Sequence, residues 1–362
     1  MRPQAEPQER PASKSRVRRG VSFAGATVSL ALSCTGEIHS TAPEKPARVR
    51  PGPAPQGRPD AVSNASCVRC HADIAAEWSG SLHQRAWDDP TFLAAYAVEP
   101  LPFCRNCHAP EASDDEADPR RHEGVSCVTC HVLSRRVVGP RPSRNGPHPV
   151  LAAPDMATSE WCGGCHEFDF PRPQAAKMQR TVSEHAASQH AERPCQTCHM
   201  PVATDRLGRT YRRHDFRVQG NPAFIGKALS VTGRTIDDRR VEVSLRAAAV
   251  GHAVPTGDLY RRLVVRAVDA EGQAARPVVL SRRFVRVDHA DGPERREVAD
   301  ERVPASGAPR HAELFFFSPF VLPVHWEVAY QRMGPVEAAV FGFDLEADES
   351  VVAKGVLTEE DP

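Results

Sequence analysis

Five short segments carry the chemistry of this sequence: Cys67-Val-Arg-Cys70-His71, Cys104-Arg-Asn-Cys107-His108, Cys127-Val-Thr-Cys130-His131, Cys162-Gly-Gly-Cys165-His166 and Cys195-Gln-Thr-Cys198-His199. In each, two cysteines stand three apart and a histidine follows the second. On one helical turn these three side chains share a face. Two thiols so placed can bond the two vinyl groups of one porphyrin, and the histidine comes up beneath the iron. The spacing is that of covalently attached haem c, five times over. A lone C-x-x-C is more often a zinc knuckle, an iron–sulfur ligand pair or a redox dithiol, but none of those needs histidine directly after the second cysteine. Histidine makes up 16 of 362 residues, so chance placement after all five pairs is on the order of one in ten million.

Ten of the 11 cysteines lie in these motifs and the other is Cys34, so no pair remains for a structural disulfide. Thioether attachment takes place on the outer side of the bacterial inner membrane, and export is expected. Lys plus Arg and Asp plus Glu balance at 46 each. No global field points to nucleic acid or to acidic lipid. Aromatic residues make up 6% and prolines number 33, a thin supply for a conventional core. Porphyrin plates can take that place, and without them residues 61–215 are not expected to fold.

Residues 1–33 read as a signal peptide. A basic start ends in Arg16, Arg18 and Arg19, and an apolar or small stretch follows over 21–33. That stretch is too short to span a bilayer as a stable helix. Leu30-Ala31-Leu32-Ser33-Cys34 approximates a lipobox, which would make Cys34 the lipidated first residue. Ala31 and Ser33 also suit ordinary cleavage, leaving a plain periplasmic protein as the alternative, with an uncleaved anchor third. Residues 34–62, rich in proline, read as a tether. His39 lies there with no assigned role.

The positioning elements divide into two textures. Residues 63–222 read as a mostly helical, loop-rich haem domain. Helices are expected over Ala72–Ser79, over Pro90–Ala97 and, started by Pro173, over about Gln174–Ala191. Glu111–Asp118 reads as a solvated acidic loop. Glu77, Ser81 and His83 recur at the same offsets as Glu184, Ser188 and His190, a weak sign of an ancestral duplication. Residues 223–362 hold β-prone runs at Val241–Leu245, Leu263–Val268, Val278–Val287, Arg296–Val303, Ala312–Phe317, Val324–Tyr330 and Val351–Leu357. A short helix is expected over Pro335–Phe343. The class is thus α+β, with a β-sandwich-like C-terminal domain.

Each haem needs a second axial ligand or an open site. Eleven histidines lie outside the motifs. The order of the motifs resembles the multihaem cytochromes of the cytochrome c-554 type, especially exported pentahaem relatives with a C-terminal β-domain. The likeness rests on the first motif with Trp78, Ser81 and His83; on His122-Glu-Gly-Val-Ser-Cys127; on Trp161 before the fourth motif; on Met200-Pro201 after the fifth; and on Gly251-His252-Ala-Val-Pro255-Thr-Gly257. It spans about residues 65–262. The tetrahaem members have one motif fewer, so their ligand assignments do not transfer wholesale. The resemblance implies His83, His122, His148, His214 and His252 as distal ligands. A ligand from the His252 loop would staple the two domains across a haem. His185 and His190 are alternatives to His148; Met156, Met178 and Met200 are remoter ones.

Five haems attached within about 130 residues must lie close together, which favours electron transfer between respiratory partners, a membrane quinol oxidase-type donor or a periplasmic acceptor. Two other readings compete. One is an oxidoreductase of nitrogen or sulfur compounds with one five-coordinate haem, although no C-x-x-C is followed by the lysine of pentahaem nitrite reductases. The other is a docking protein that uses its β-domain. No hydrolytic or nucleotide-binding motif is present.

Overall fold

The computed structural model describes residues 63–360, apart from 99, 170–176, 206–207, 217, 219–220, 290–291 and 346–347. Residues 1–33, read above as a signal peptide, Cys34, the proline-rich stretch up to 62 read as a tether, and His39 lie outside the described residues.

Residues 63–228 form short helices, turns and small ladders. The motifs lie on or beside helical turns at Asn64–Val68, Pro102–His108, Cys127–His131, Gly163–His166 and Gln196–His199. Each of these turns is too short to be stable alone. Helices at Ala72–Trp78 and Pro90–Val98 agree with the sequence reading. The longer helix does not form. Lys177–Arg180 is a strand paired with Glu167–Asp169, and only Thr181–Ala186 is helical. The Arg282 guanidinium donates to the carbonyls of Lys177 and Met178 at 2.6 and 3.0 Å. Those tertiary bonds hold backbone that local propensity would coil. Three further small ladders, Val132–Leu133 with Arg136–Gly139, Arg136–Gly139 with Leu151–Ala152, and Val202–Thr204 with Thr210–Arg212, also escaped the sequence reading.

The C-terminal part is a two-sheet sandwich. One antiparallel sheet runs Gly292–Asp300, Val278–His289, Arg262–Val268, Val324–Gln331, Ser350–Leu357; the other runs Arg310–Phe315, Arg240–Ala247, Leu229–Thr235. Alternate residues face inward, as strand geometry requires. Val241, Val243 and Leu245 meet Leu263, Val265, Leu280, Leu314 and Val328 in one apolar cluster. The strand expected over Arg296–Val303 starts earlier than its apolar pattern suggested, at Gly292, and ends at Asp300. Leu229–Thr235, polar and broken by Gly233, gave no sequence signal. Gly233 is small because a side chain there would strike Trp326.

The haem region and the sandwich share buried contacts. Helix Pro335–Phe341 packs on helix Pro90–Val98. Among the described residues, no helix is long and apolar enough to cross a membrane.

Candidate functional site

The five motif turns present Cys70 and Cys198 exposed and Cys67, Cys104, Cys107, Cys127, Cys130, Cys162, Cys165 and Cys195 part-exposed. The turns come together in pairs. Cys127 N–H donates to Asn64 Oδ1 at 3.2 Å, which joins the first and third motifs. Cys195 N–H donates to Ser159 Oγ at 3.2 Å, which joins the fourth and fifth. The Cys162 and Cys195 thiols are hydrogen-bonded across that second junction, and this bond together with burial pushes the Cys162 thiol well up.

The histidines pair as well. Ring centres lie 6.3 Å apart for His71 and His148, and 6.2 Å apart for His83 and His166, His131 and His214, and His199 and His252. In every pair one ring belongs to a motif and the other does not. Metal–imidazole bonds of about 2 Å, with roughly 1 Å more from nitrogen to ring centre, put two axial rings about 6 Å apart. The four pairs have the separation that an iron between them demands. Among the described residues no three or more His, Cys, Asp or Glu side chains are grouped to hold a metal ion. The donor set fits haem c.

Second partners set the ring orientations. An Nδ1–H bonded to a fixed oxygen leaves Nε2 as the ligating atom. His131 Nδ1 meets Val138 O at 3.2 Å, His166 Nδ1 meets Gln179 Oε1 at 3.3 Å and His252 Nδ1 meets Ala253 O at 3.0 Å. Burial lowers the basicity of these rings. His83 is brought down to about 3, first by burial and then by His166, His199 and His214; His199 is brought down to about 4 by burial and by His252 and His166. His131, His166, His214 and His252 shift in the same direction, chiefly through burial. Neutral imidazole is the form that binds iron.

His108 differs. Its Nδ1 reaches Ala86 O at 2.6 Å, so its orientation is that of a ligand. Yet the ring against it is Phe92, stacked at 3.8 Å. No histidine ring pairs with it among the described residues. His122, expected as a distal ligand, lies exposed at the surface with Nδ1 2.7 Å from Asp88 Oδ1. The alternatives to His148 are engaged elsewhere through Nε2: His185 with Arg193 O at 2.8 Å and His190 with Ala248 O at 3.2 Å.

Sequence reading missed a second tier. Asn64 and Ser159 join the motif turns, and Glu77 and Glu184 hold the segments that carry His214 and His252. The only signal was the recurrence of glutamate at equivalent places in the weak repeat.

Fold and site together fit a multihaem c-type cytochrome. Within it, residues 66–132 match the family model described as cytochrome c554 and c-prime. The structure is similar to that of a penta-heme cytochrome c552 from Thermochromatium tepidum, with a TM-score of 0.63 and 21% identity over 82% of this chain and 98% of that one. At that identity the likeness is one of fold. No curated protein matches the chain.

Proposed function

We propose that the protein is an exported electron carrier holding five haem c groups, at least four of them with two axial histidines. The observation that carries this reading is the set of four ring pairs, each joining a motif histidine to one of His83, His148, His214 and His252. Bound haem supplies one-electron chemistry. The chain's own part is to set two rings opposite one another at four of the five sites, which would leave no position for a substrate there, and to hold the sites within one packed body. Export is supported by the thioether motifs, and attachment to the membrane by the lipobox-like Cys34. Its partners are then redox proteins, a quinol-oxidising donor in the membrane or an acceptor in the periplasm.

The test is to mature the protein in a periplasm with haem assembly, count haems by pyridine haemochrome, and record visible and EPR spectra with and without carbon monoxide. Five haems, with four indifferent to carbon monoxide, are expected. Carbon monoxide binding at two or more haems would sink the pairing.

One observation favours a second reading. Among the described residues His108 faces Phe92 and no second histidine, so the haem at Cys104 and Cys107 is the candidate for an open position. Carbon monoxide binding at that haem, with turnover of nitrite, hydroxylamine or a sulfur oxyanion, would make the protein an oxidoreductase fed by the other four.

A further inference from the structure

The glutamates of the weak repeat hold equivalent places in the structure. Glu77 Oε2 accepts from the backbone N–H of His214 at 2.9 Å, and Glu77 Oε1 accepts from Tyr211 Oη at 2.7 Å. Glu184 Oε2 accepts from the backbone N–H of Ala253, next to His252, and from Thr256 Oγ1, both at 3.2 Å. Each carboxylate thus grips the main chain at a histidine that faces a motif ring. Each has a cation on its other side: Arg213 at 3.3 Å from Glu77, and the buried Arg302 at 2.5 Å from Glu184. Arg302 also donates to Pro255 O at 3.0 Å, so the loop after His252 is held from two directions.

The polar caps follow the same division. Asn64 stands three residues before Cys67, and Ser159 three before Cys162. Both are buried. Asn64 accepts from Cys127 N–H, at the start of the turn that ends in His131; Ser159 accepts from Cys195 N–H, at the start of the turn that ends in His199. His131 is the ring that faces His214, and His199 the ring that faces His252.

We propose that Asn64 with Glu77, and Ser159 with Glu184, are two equivalent brackets, each fixing both axial sides of a haem attached at another motif. The first serves the Cys127–His131 haem and the second the Cys195–His199 haem. The proposal rests on the axial pairing of His131 with His214 and of His199 with His252. It makes the two glutamates positioning residues for distal ligands. A carboxylate suits this work: it accepts several N–H and O–H bonds at once, and charge-assisted bonds are roughly twice as strong as neutral ones. It also explains why the repeat kept its glutamates in register while its histidines parted. His83 faces His166, whereas His190 bonds Ala248 O.

The experiment uses the full holoprotein. Glu77→Ala, Glu184→Ala and their Gln counterparts are compared with His214→Ala and His252→Ala by carbon monoxide stoichiometry and EPR. Each Glu→Ala variant should gain one carbon monoxide-binding haem per molecule. The new high-spin signal of Glu184→Ala should coincide with that of His252→Ala, and that of Glu77→Ala with that of His214→Ala. Combining Glu184→Ala with His252→Ala should add nothing further. The Gln variants, which keep one acceptor oxygen, should fall between wild type and Ala. If an Ala variant fails to retain its haems, the Gln variant decides: a carbon monoxide-reactive fraction equal to wild type overturns the bracket. So do Glu→Ala variants that stay wild-type while the His→Ala variants open. Should His214→Ala and His252→Ala themselves open no site, it is the axial pairing that fails, and the bracket with it.

Discussion

Asp89 and Arg332, 243 positions apart, form a buried two-point ion pair: Nη1 and Nη2 of the arginine donate to the two carboxylate oxygens at 3.0 and 2.6 Å. Asp89 stands just before helix Pro90–Val98, whose Phe92 stacks on His108. Arg332 follows directly on strand Val324–Gln331. The pair ties the surroundings of the second motif to the sandwich. Asp348 Oδ1 lies 3.9 Å from Arg332 Nη1, the nitrogen that also donates to Asp89.

Removing one partner leaves a buried charge unpaired. Arg332→Met should cost about 3–5 kcal/mol by denaturant unfolding, far more than an exposed pair. The pH dependence has a definite sign. Burial pushes the Asp89 carboxyl up, but the hydrogen bonds and charge of Arg332 outweigh it and hold the group below its usual value. A carboxylate depressed in the folded state stabilises fully above its unfolded pKa of about 4, and that stabilisation is lost as pH falls through the lower folded value. The gap between wild type and Asp89→Asn/Arg332→Met should therefore narrow below about pH 4. A constant gap down to acid would assign the effect to packing.

The Trp326 indole fixes how the two sheets meet. A methyl group built on Gly355, its cross-strand neighbour, falls 2.3 Å from the ring, and one on Gly233, in the facing sheet, 2.6 Å from Nε1. Gly355→Ala and Gly233→Ala should each destabilise the sandwich by about 1–3 kcal/mol through overpacking. Trp326→Phe, made together with Gly355→Ala, should recover part of that loss in thermal melts.

His148 and His185 separate the candidate ligands cleanly. His148 faces His71, whereas His185 spends Nε2 on Arg193 O. His148→Ala should add one carbon monoxide-reactive haem, and His185→Ala none. His185→Ala should instead lower stability by about 1–3 kcal/mol, because it leaves a carbonyl without its donor. A reversed outcome would move the first haem's distal ligand.

Cys34→Ser should release the protein from membranes into the periplasmic fraction, with all haems retained. Persistent membrane association would mean that lipid at Cys34 is not the anchor.

The attachment motifs were legible in the sequence. Cysteine and histidine spacing within one turn is a local property, and five recurrences identify haem c without any fold. The β character of the C-terminal runs was legible for a related reason, since period-two alternation needs only a strand with one face buried. Which histidine rings face one another was not legible. His148 meets His71 from 77 positions away, and His122, which stands close before a motif, turns to Asp88. Distance along the chain carries no information about which ring crosses which plane. The strand at Lys177–Arg180 shows the same limit, because its conformation is held by Arg282, more than a hundred residues later. The residue types in this sequence determined which cofactor it can bind and how many attachment points it offers. Tertiary structure decided which histidines stand opposite one another and which buried polar groups hold them there, because those choices depend on long-range contacts formed only when the chain packs.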